Sequence, residues 1–336
     1  MKKLAFNALK FALSFGIVAY LVFDVSRTDP TSFERLANEP KNWGMLATAA
    51  GCFMGALALG WTRWCLLGRL LGLRLQLRDA WRFGYLAYML DFLALGTLGG
   101  DIAKAVLLGR EQRGRWGATV ASVALDRVIG LFTLCIVAAV AIAASDLTAS
   151  TPQIRAVAQL MFAAGVATTA CVLLLFVPRV QDVVLAEFPR RMPRVGRRLA
   201  HLATAIRAYG QRREAVAGIV VLSLGVPLLN ILGFYFIAHG IPIDAPPLRD
   251  HFIIIPPAML SGAVPLPMEA LGVLEYTLHY LYAHSTTTGG GQGLLVALTY
   301  RVVTISVILL GTPFYLGVRR DVHGVLAEAA RADAPA

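Results

Sequence analysis

Charged residues stand in this sequence where an apolar chain has little room for them. In the run LGTLGGDIAKAVLLGR, Leu95 to Arg110, Gly99-Gly100-Asp101 is followed one helical turn later by Lys104. Arg127 and Arg301 each sit inside another apolar run, and each follows a carboxylate, Asp101 or Glu275, by 26 residues. Paired glycines permit a tight turn and the close approach of a ligand. A helix starting near Asp101 would turn its N-terminal N–H groups towards that ligand, a ready anion site, and Lys104 would add a cation. A phosphate-bearing lipid head group has the right chemistry for such a pocket. The competing role for Asp101 is a helix cap accepting the free N–H groups, which leaves Lys104 unexplained.

An arginine at mid-membrane costs on the order of 2.5–3.5 kcal/mol even on insertion scales, so it faces a partner or a cavity. Two roles are open to Arg127 and Arg301. Each pairs with its carboxylate, Asp101 or Glu275, to hold the chain together, or each binds a head group. Arginine has donors enough for both at once. Gly272, just before Glu275, belongs to the same candidate set. Secondary candidates are Glu269, beside Pro267, as a proton-coupled carboxylate, together with Asp126 and Tyr300. Asp126 adjoins Arg127 but projects about 100° away from it on a helix, so it need not be its partner.

The elements that must position these residues are membrane helices. The 336 residues are 57% hydrophobic and 15% charged, with a mean hydropathy of +0.65, against about 25% charged in a soluble domain. Charge-free runs cover Trp43–Thr62, Val128–Ser145, Ala156–Pro178, Ala215–Ile243 and Val302–Val318. About 20 apolar residues cross the hydrocarbon core. Leu4–Phe23 lacks an A-x-A-like cleavage site and reads as a retained helix. The four cysteines, Cys52, Cys65, Cys135 and Cys171, lie in or at the edge of apolar spans without metal-ligand spacing, as small packed hydrophobes do. The net charge of +11 sits in short loops between spans and does not point to nucleic acid.

Those loop charges thread the chain, because Lys and Arg concentrate on the cytoplasmic side. Arg63–Arg82, Lys104–Arg115, Arg179–Arg213 and the tail from Arg319 are basic, whereas Ser145–Arg155, Gly240–Asp250 and His284–Gln292 are not. The loop Asp24–Asn42 is mixed and orients little. Phe83–Leu108 lies between two cytoplasmic segments, so it must enter and leave on one side, breaking at Gly96–Gly100. His251–Ala283, with Pro256-Pro257, Pro265, Pro267 and Gly272, fits a second hairpin from the opposite face. The expected fold is an all-α integral membrane bundle with about six full spans and two re-entrant hairpins. Residues 1–145 form a first repeat and 151–318 a second, inverted one, with a basic cytoplasmic loop at 179–214 and a cytoplasmic tail at 319–336. Inverted repeats with broken helices at mid-membrane are a transporter architecture. Trp61, Trp64, Trp81 and Trp116 fall near cytoplasmic boundaries, as an aromatic belt would. His239, His251, His279 and His284 fall near the outer surface, most of them interfacial.

No Walker loop, GxSxG, HExxH or Rossmann signature in a strand context occurs, so catalytic residues, metals and cofactors are not expected. The motifs do resemble those of the lysylphosphatidylglycerol synthase/flippase transmembrane region family. Its GGD-x-x-R segment is matched by Gly99-Gly100-Asp101 with Lys104 in the last place, and its S-x-x-x-D-R segment by Ser122 and Asp126-Arg127. Pro267 to Glu275 and Arg301 match its second-half motif more loosely, with Leu274 where the family tends to have Arg. The resemblance covers nearly the whole chain and lacks the soluble aminoacyl-transfer domain of fused members. It implies a flippase-like protein of the cell (inner) membrane, termini cytoplasmic, that moves a phospholipid or polyprenyl-phosphate lipid. A homodimer is the protein partnership considered. The rival expectation is an integral-membrane enzyme or accessory subunit of polyprenyl-phosphate-linked glycolipid assembly.

Overall fold

The computed structural model describes residues 2–92, 99–112, 114–144, 151–175, 213–262, 270–284 and 291–310. Every regular element among them is helical: α1 (Lys2–Thr28), α2 (Pro30–Asn38), α3 (Trp43–Leu70), α4 (Leu77–Leu90), α5 (Gly99–Glu111), α6 (Trp116–Ala143), α7 (Pro152–Leu175), α8 (Arg213–Gly240), α9 (Leu248–Ser261), α10 (Val273–Ala283) and α11 (Gln292–Leu310). Among the described residues α1, α3, α6, α8 and α11 are each long and apolar enough to cross a membrane. The sixth expected span falls on α7, whose 24 residues reach about 36 Å at the helical rise. The chain is a polytopic helical membrane protein.

Apolar packing in lipid rests on close approach, so small residues mark the helix contacts. α3 lies along α8, and α6 along α7. Gly233 of α8 receives the Phe53 ring of α3, and Gly165 of α7 meets Ala139 and the Cys135 carbonyl of α6, with no space for a Cβ at either glycine. The larger core joins Phe53, Phe234, Ile254, Ile255 and Tyr282, while a second one joins Trp64, Leu86, Leu108 and Val123 across α3 to α6.

Several expectations change here. The charge-free run ending at Thr62 does not end its helix. α3 continues to Leu70, and Arg63 is 4% exposed within it instead of lying in a cytoplasmic loop. Trp61 and Trp64 are buried core residues, so of the four belt candidates Trp81 and Trp116 keep the exposure a belt needs. Pro256 and Pro257 lie inside α9 and do not break it. Neighbouring helices can hold such a segment helical in the absence of the proline N–H groups, and α6, α8 and α10 all pack on α9. His251 is fully buried, its Nε2 facing the Tyr282 hydroxyl at 3.0 Å, and is not interfacial.

The stretch expected to be a mixed loop carries α2, with Pro30 at its start and Ser32 buried. Asp29, at its N-terminus, accepts hydrogen bonds from Ser32 Oγ at 2.5 Å, Thr31 Oγ1 at 2.8 Å and the Gly291 amide at 3.1 Å. It thereby ties α2 to the start of α11. Residues 93–98, 179–212, 263–269 and 319–336, which hold most of the first hairpin's break, Glu269, Pro265, Pro267, nearly all of the basic loop and the tail, lie outside the described residues.

Candidate functional site

α4 and α5 pack against each other as two short limbs. Asp91, at the end of α4, accepts the Gly100 amide of α5 on Oδ1 at 2.6 Å. A Cβ on Gly100 would collide with that carboxylate and with the Ala87 carbonyl, so only glycine lets the limbs meet. Gly99 opens α5 and is buried beside it. An amide in the first turn of α5 is thus capped by Asp91 at the end of α4. Asp101 makes no capping hydrogen bond among the described residues, and its Oδ2 lies 3.7 Å from Arg127 Nε on α6.

Asp101, Lys104 and Arg127 open onto one cavity of about 310 Å³. Asp91 and Asp126 line it too, as does Arg63 from α3, a residue the threading had placed in a loop. α8 contributes Pro227 and Asn230, and Gly262, Leu274 and Tyr300 bring α9, α10 and α11 to the same space. The ends of both short helix pairs therefore converge on one cavity that gathers six charged side chains among apolar helices. Each limb explains part of its geometry. Lys104 Nζ stands 5.6 Å from the centre of the Trp64 ring, an attraction for a cation held over an indole face. Trp64 is fixed in turn by donating Nε1–H to Ser122 Oγ at 3.2 Å. Tyr300 is held by stacking on Phe234 with ring centres 4.6 Å apart.

Asp126 turns away from Arg127, as the helical angle required, and its partner is Arg63. Arg63 donates Nε–H to Asp126 Oδ1 at 2.8 Å and Nη2–H to the Asp126 carbonyl at 3.1 Å. The sequence signal for Arg63 was present but overruled. The residues after it, WCLLGRLLG, keep an apolar helical pattern, whereas the threading treated the first charge as the end of the span.

The second-half candidates are arranged differently. Gly272 adopts φ +94° at the start of α10, and its amide donates to Glu275 Oε2 at 2.6 Å. The other carboxylate oxygen accepts Arg301 Nε–H, also at 2.6 Å. A Cβ on Gly272 would come within 2.9 Å of the Ser14 carbonyl of α1. Glu275 and Arg301 are 0% and 8% exposed at their side chains, against 20% and 38% for Asp101 and Arg127. The first-half pair faces the cavity. The second-half pair is sealed behind it, and Gly272, Glu275 and Arg301 are not among the residues lining that space.

Comparison with curated proteins and with solved structures returns no match. The family model for the lysylphosphatidylglycerol synthase TM region matches residues 7–311. With nine-tenths of its length inside that model and Asp101, Lys104, Asp126 and Arg127 of the two motifs lining one cavity, this chain belongs to the lysylphosphatidylglycerol synthase TM region family.

Proposed function

We propose that this chain moves an anionic, phosphate-bearing lipid between leaflets, holding the head group in the cavity while the acyl chains stay in the bilayer. The observation that carries this reading is the pocket itself, where Arg63, Lys104 and Arg127 meet inside a bundle of apolar helices. Polar space of that kind is costly in a membrane and is retained on substrate pathways. Its three carboxylates each face a protein partner: Asp91 the Gly100 amide, Asp101 the Arg127 guanidinium and Asp126 that of Arg63. That favours binding over acid–base chemistry, and the reading includes no covalent step.

The short helices support the same reading. α4, α5, α9 and α10 have 14, 13, 14 and 11 residues. Each is about 17–21 Å long, too short for a hydrocarbon core of about 30 Å. We read them as two re-entrant hairpins entering from opposite faces of the inner membrane, in repeats 1–145 and 151–318, with both termini cytoplasmic. The 26-residue step that closes into an ion pair in both halves is what inverted repeats would produce. The cargo class is an anionic phospholipid or a polyprenyl-phosphate lipid.

Two experiments test this. Reporter fusions after Gly114 and Gly240 should report cytoplasm and periplasm respectively, and a periplasmic signal at Gly114 rejects the hairpins. Purified protein in liposomes should speed leaflet exchange of labelled phosphatidylglycerol or polyprenyl phosphate well above that of phosphatidylcholine. Absence of exchange for every anionic lipid tried rejects the transport reading.

A further inference from the structure

We propose that Arg63 is the innermost anion contact of the cavity, taking a phosphate oxyanion on Nη1 while its other edge stays on Asp126. This inference rests on the cavity assigned above to the head group, but not on lipid crossing the bilayer. A guanidinium presents its Nε–H and one Nη2–H along a single edge, and here that edge is occupied by Asp126. Nη1 points away from it. Nη1 is buried and has no hydrogen-bond partner among the described residues, although the residue as a whole is 4% exposed. An arginine has no acceptor role and cannot shed its proton, so a buried N–H of this kind calls for an oxygen.

The neighbouring residue keeps that position open. Gly130 lines the cavity one turn beyond Asp126 on α6, and a Cβ there would lie 3.4 Å from Nη2 and 3.8 Å from Nη1 of Arg63. A methyl there would pack against both terminal nitrogens, and a larger side chain would take up cavity space beside them. Charge supplies the ligand class. Arg63 is already neutralised by Asp126, so a neutral acceptor would satisfy Nη1. The cavity also presents Lys104 and Arg127, beside the carboxylates of Asp91, Asp101 and Asp126 that engage the Gly100 amide, Arg127 and Arg63. An oxyanion with several oxygens is the ligand that draws on more than one of those cations, through parallel charge-assisted bonds. A free phosphate and a lipid head group share that chemistry.

The test is calorimetric binding to the purified full chain in maltoside micelles, which contain no phosphate. The probes are inorganic phosphate, dihexanoyl phosphatidic acid and, as the uncharged control, dihexanoylglycerol. Arg63→Lys keeps a cation for Asp126 and deletes Nη1, and Gly130→Ala covers it within ordinary contact distance. Wild type should bind dihexanoyl phosphatidic acid and not dihexanoylglycerol. Both variants should lose at least tenfold in affinity while keeping the wild-type thermal midpoint to within a few degrees. Binding of inorganic phosphate as well shows that the oxyanion alone is read, and its absence shows that the lipid head group is required. Both results support the assignment if the two variants weaken binding. Wild-type affinity in both variants overturns it and leaves the transport reading untouched. No binding of either phosphate probe by wild type also overturns it. Conversely, weakened binding in the variants with no leaflet exchange by wild type would keep Arg63 as an anion contact and reject transport.

Discussion

Two ion pairs share a 26-residue spacing, Asp101 with Arg127 and Glu275 with Arg301, yet only the first lines the cavity. Arg301 and Glu275 meet at 2.6 Å, nearly sealed, with the carboxylate also holding the Gly272 amide. Arg127 and Asp101 stand 3.7 Å apart at the cavity, with Arg127 more than a third exposed. A buried pair fixes one arrangement, because neither charge tolerates losing the other. A looser pair that lines a cavity is held less tightly and can exchange its partner for a ligand. Under the transport proposal above, the sealed pair serves as the fixed frame and the open pair as the part that meets cargo.

The sharpest way to break that contrast is to remove one charge from the sealed pair. Glu275→Ala leaves Arg301 buried without its carboxylate and frees the Gly272 amide, at a cost of about 3–5 kcal/mol. Thermal unfolding of purified protein, or its accumulation in membranes, should show a severe loss. The matching change in the first pair, Asp101→Ala, should cost less, because Arg127 is 38% exposed and opens onto the cavity. Equal losses in the two halves would remove the distinction between frame and cargo site.

Gly100 sharpens the same comparison from the backbone side. Gly100→Ala drives a methyl into the Asp91 carboxylate and the Ala87 carbonyl, which should cost about 1–3 kcal/mol as the limbs separate. Its measurable sign is a lower thermal midpoint together with weaker lipid exchange, because the displaced limb carries Asp101 and Lys104.

How much of this was legible in the sequence depended on how each residue is satisfied. The pairs Asp101–Arg127 and Glu275–Arg301 could be anticipated, because a charge in an apolar run needs a partner and the spacing repeated. Asp91 as the cap was not, since its target lies on another helix, nine residues away. Arg63 was missed because a charge-counting rule places arginines in loops, and a buried partner on another helix overrides that rule without leaving a local trace. Pro256 and Pro257 misled for a similar reason: their cost to a helix is local, whereas the packing that keeps α9 helical comes from α6, α8 and α10. The burial that separates the two pairs, sealed against open, depends on the assembled bundle and has no counterpart in spacing.

The smallest expected effect lies at the junction of α1 and α2, outside both pairs. Burial pushes the Asp29 carboxyl up, but hydrogen bonds from Ser32, Thr31 and the Gly291 amide outweigh it and leave the group below the usual aspartate range. A carboxylate with a lower pKa folded than unfolded adds stability above the unfolded value, near pH 4, and that increment vanishes as pH falls through the folded one. Asp29→Ala should therefore lower the thermal midpoint slightly at pH 7, and the gap to wild type should close below about pH 4. A gap that persists or widens in acid would contradict this role.

Leaflet exchange of labelled anionic lipid in liposomes, compared between wild type and the charge-swapped double variant Asp101→Arg/Arg127→Asp, tests the central claim most directly. The swap preserves an opposite-charge pair at the cavity but reverses which helix offers the cation, so the protein should accumulate and unfold close to wild type. The account predicts rapid exchange by wild type and loss of at least tenfold in the swap. Normal exchange in a normally accumulating double variant would contradict it, and would leave both arginines as structural ties.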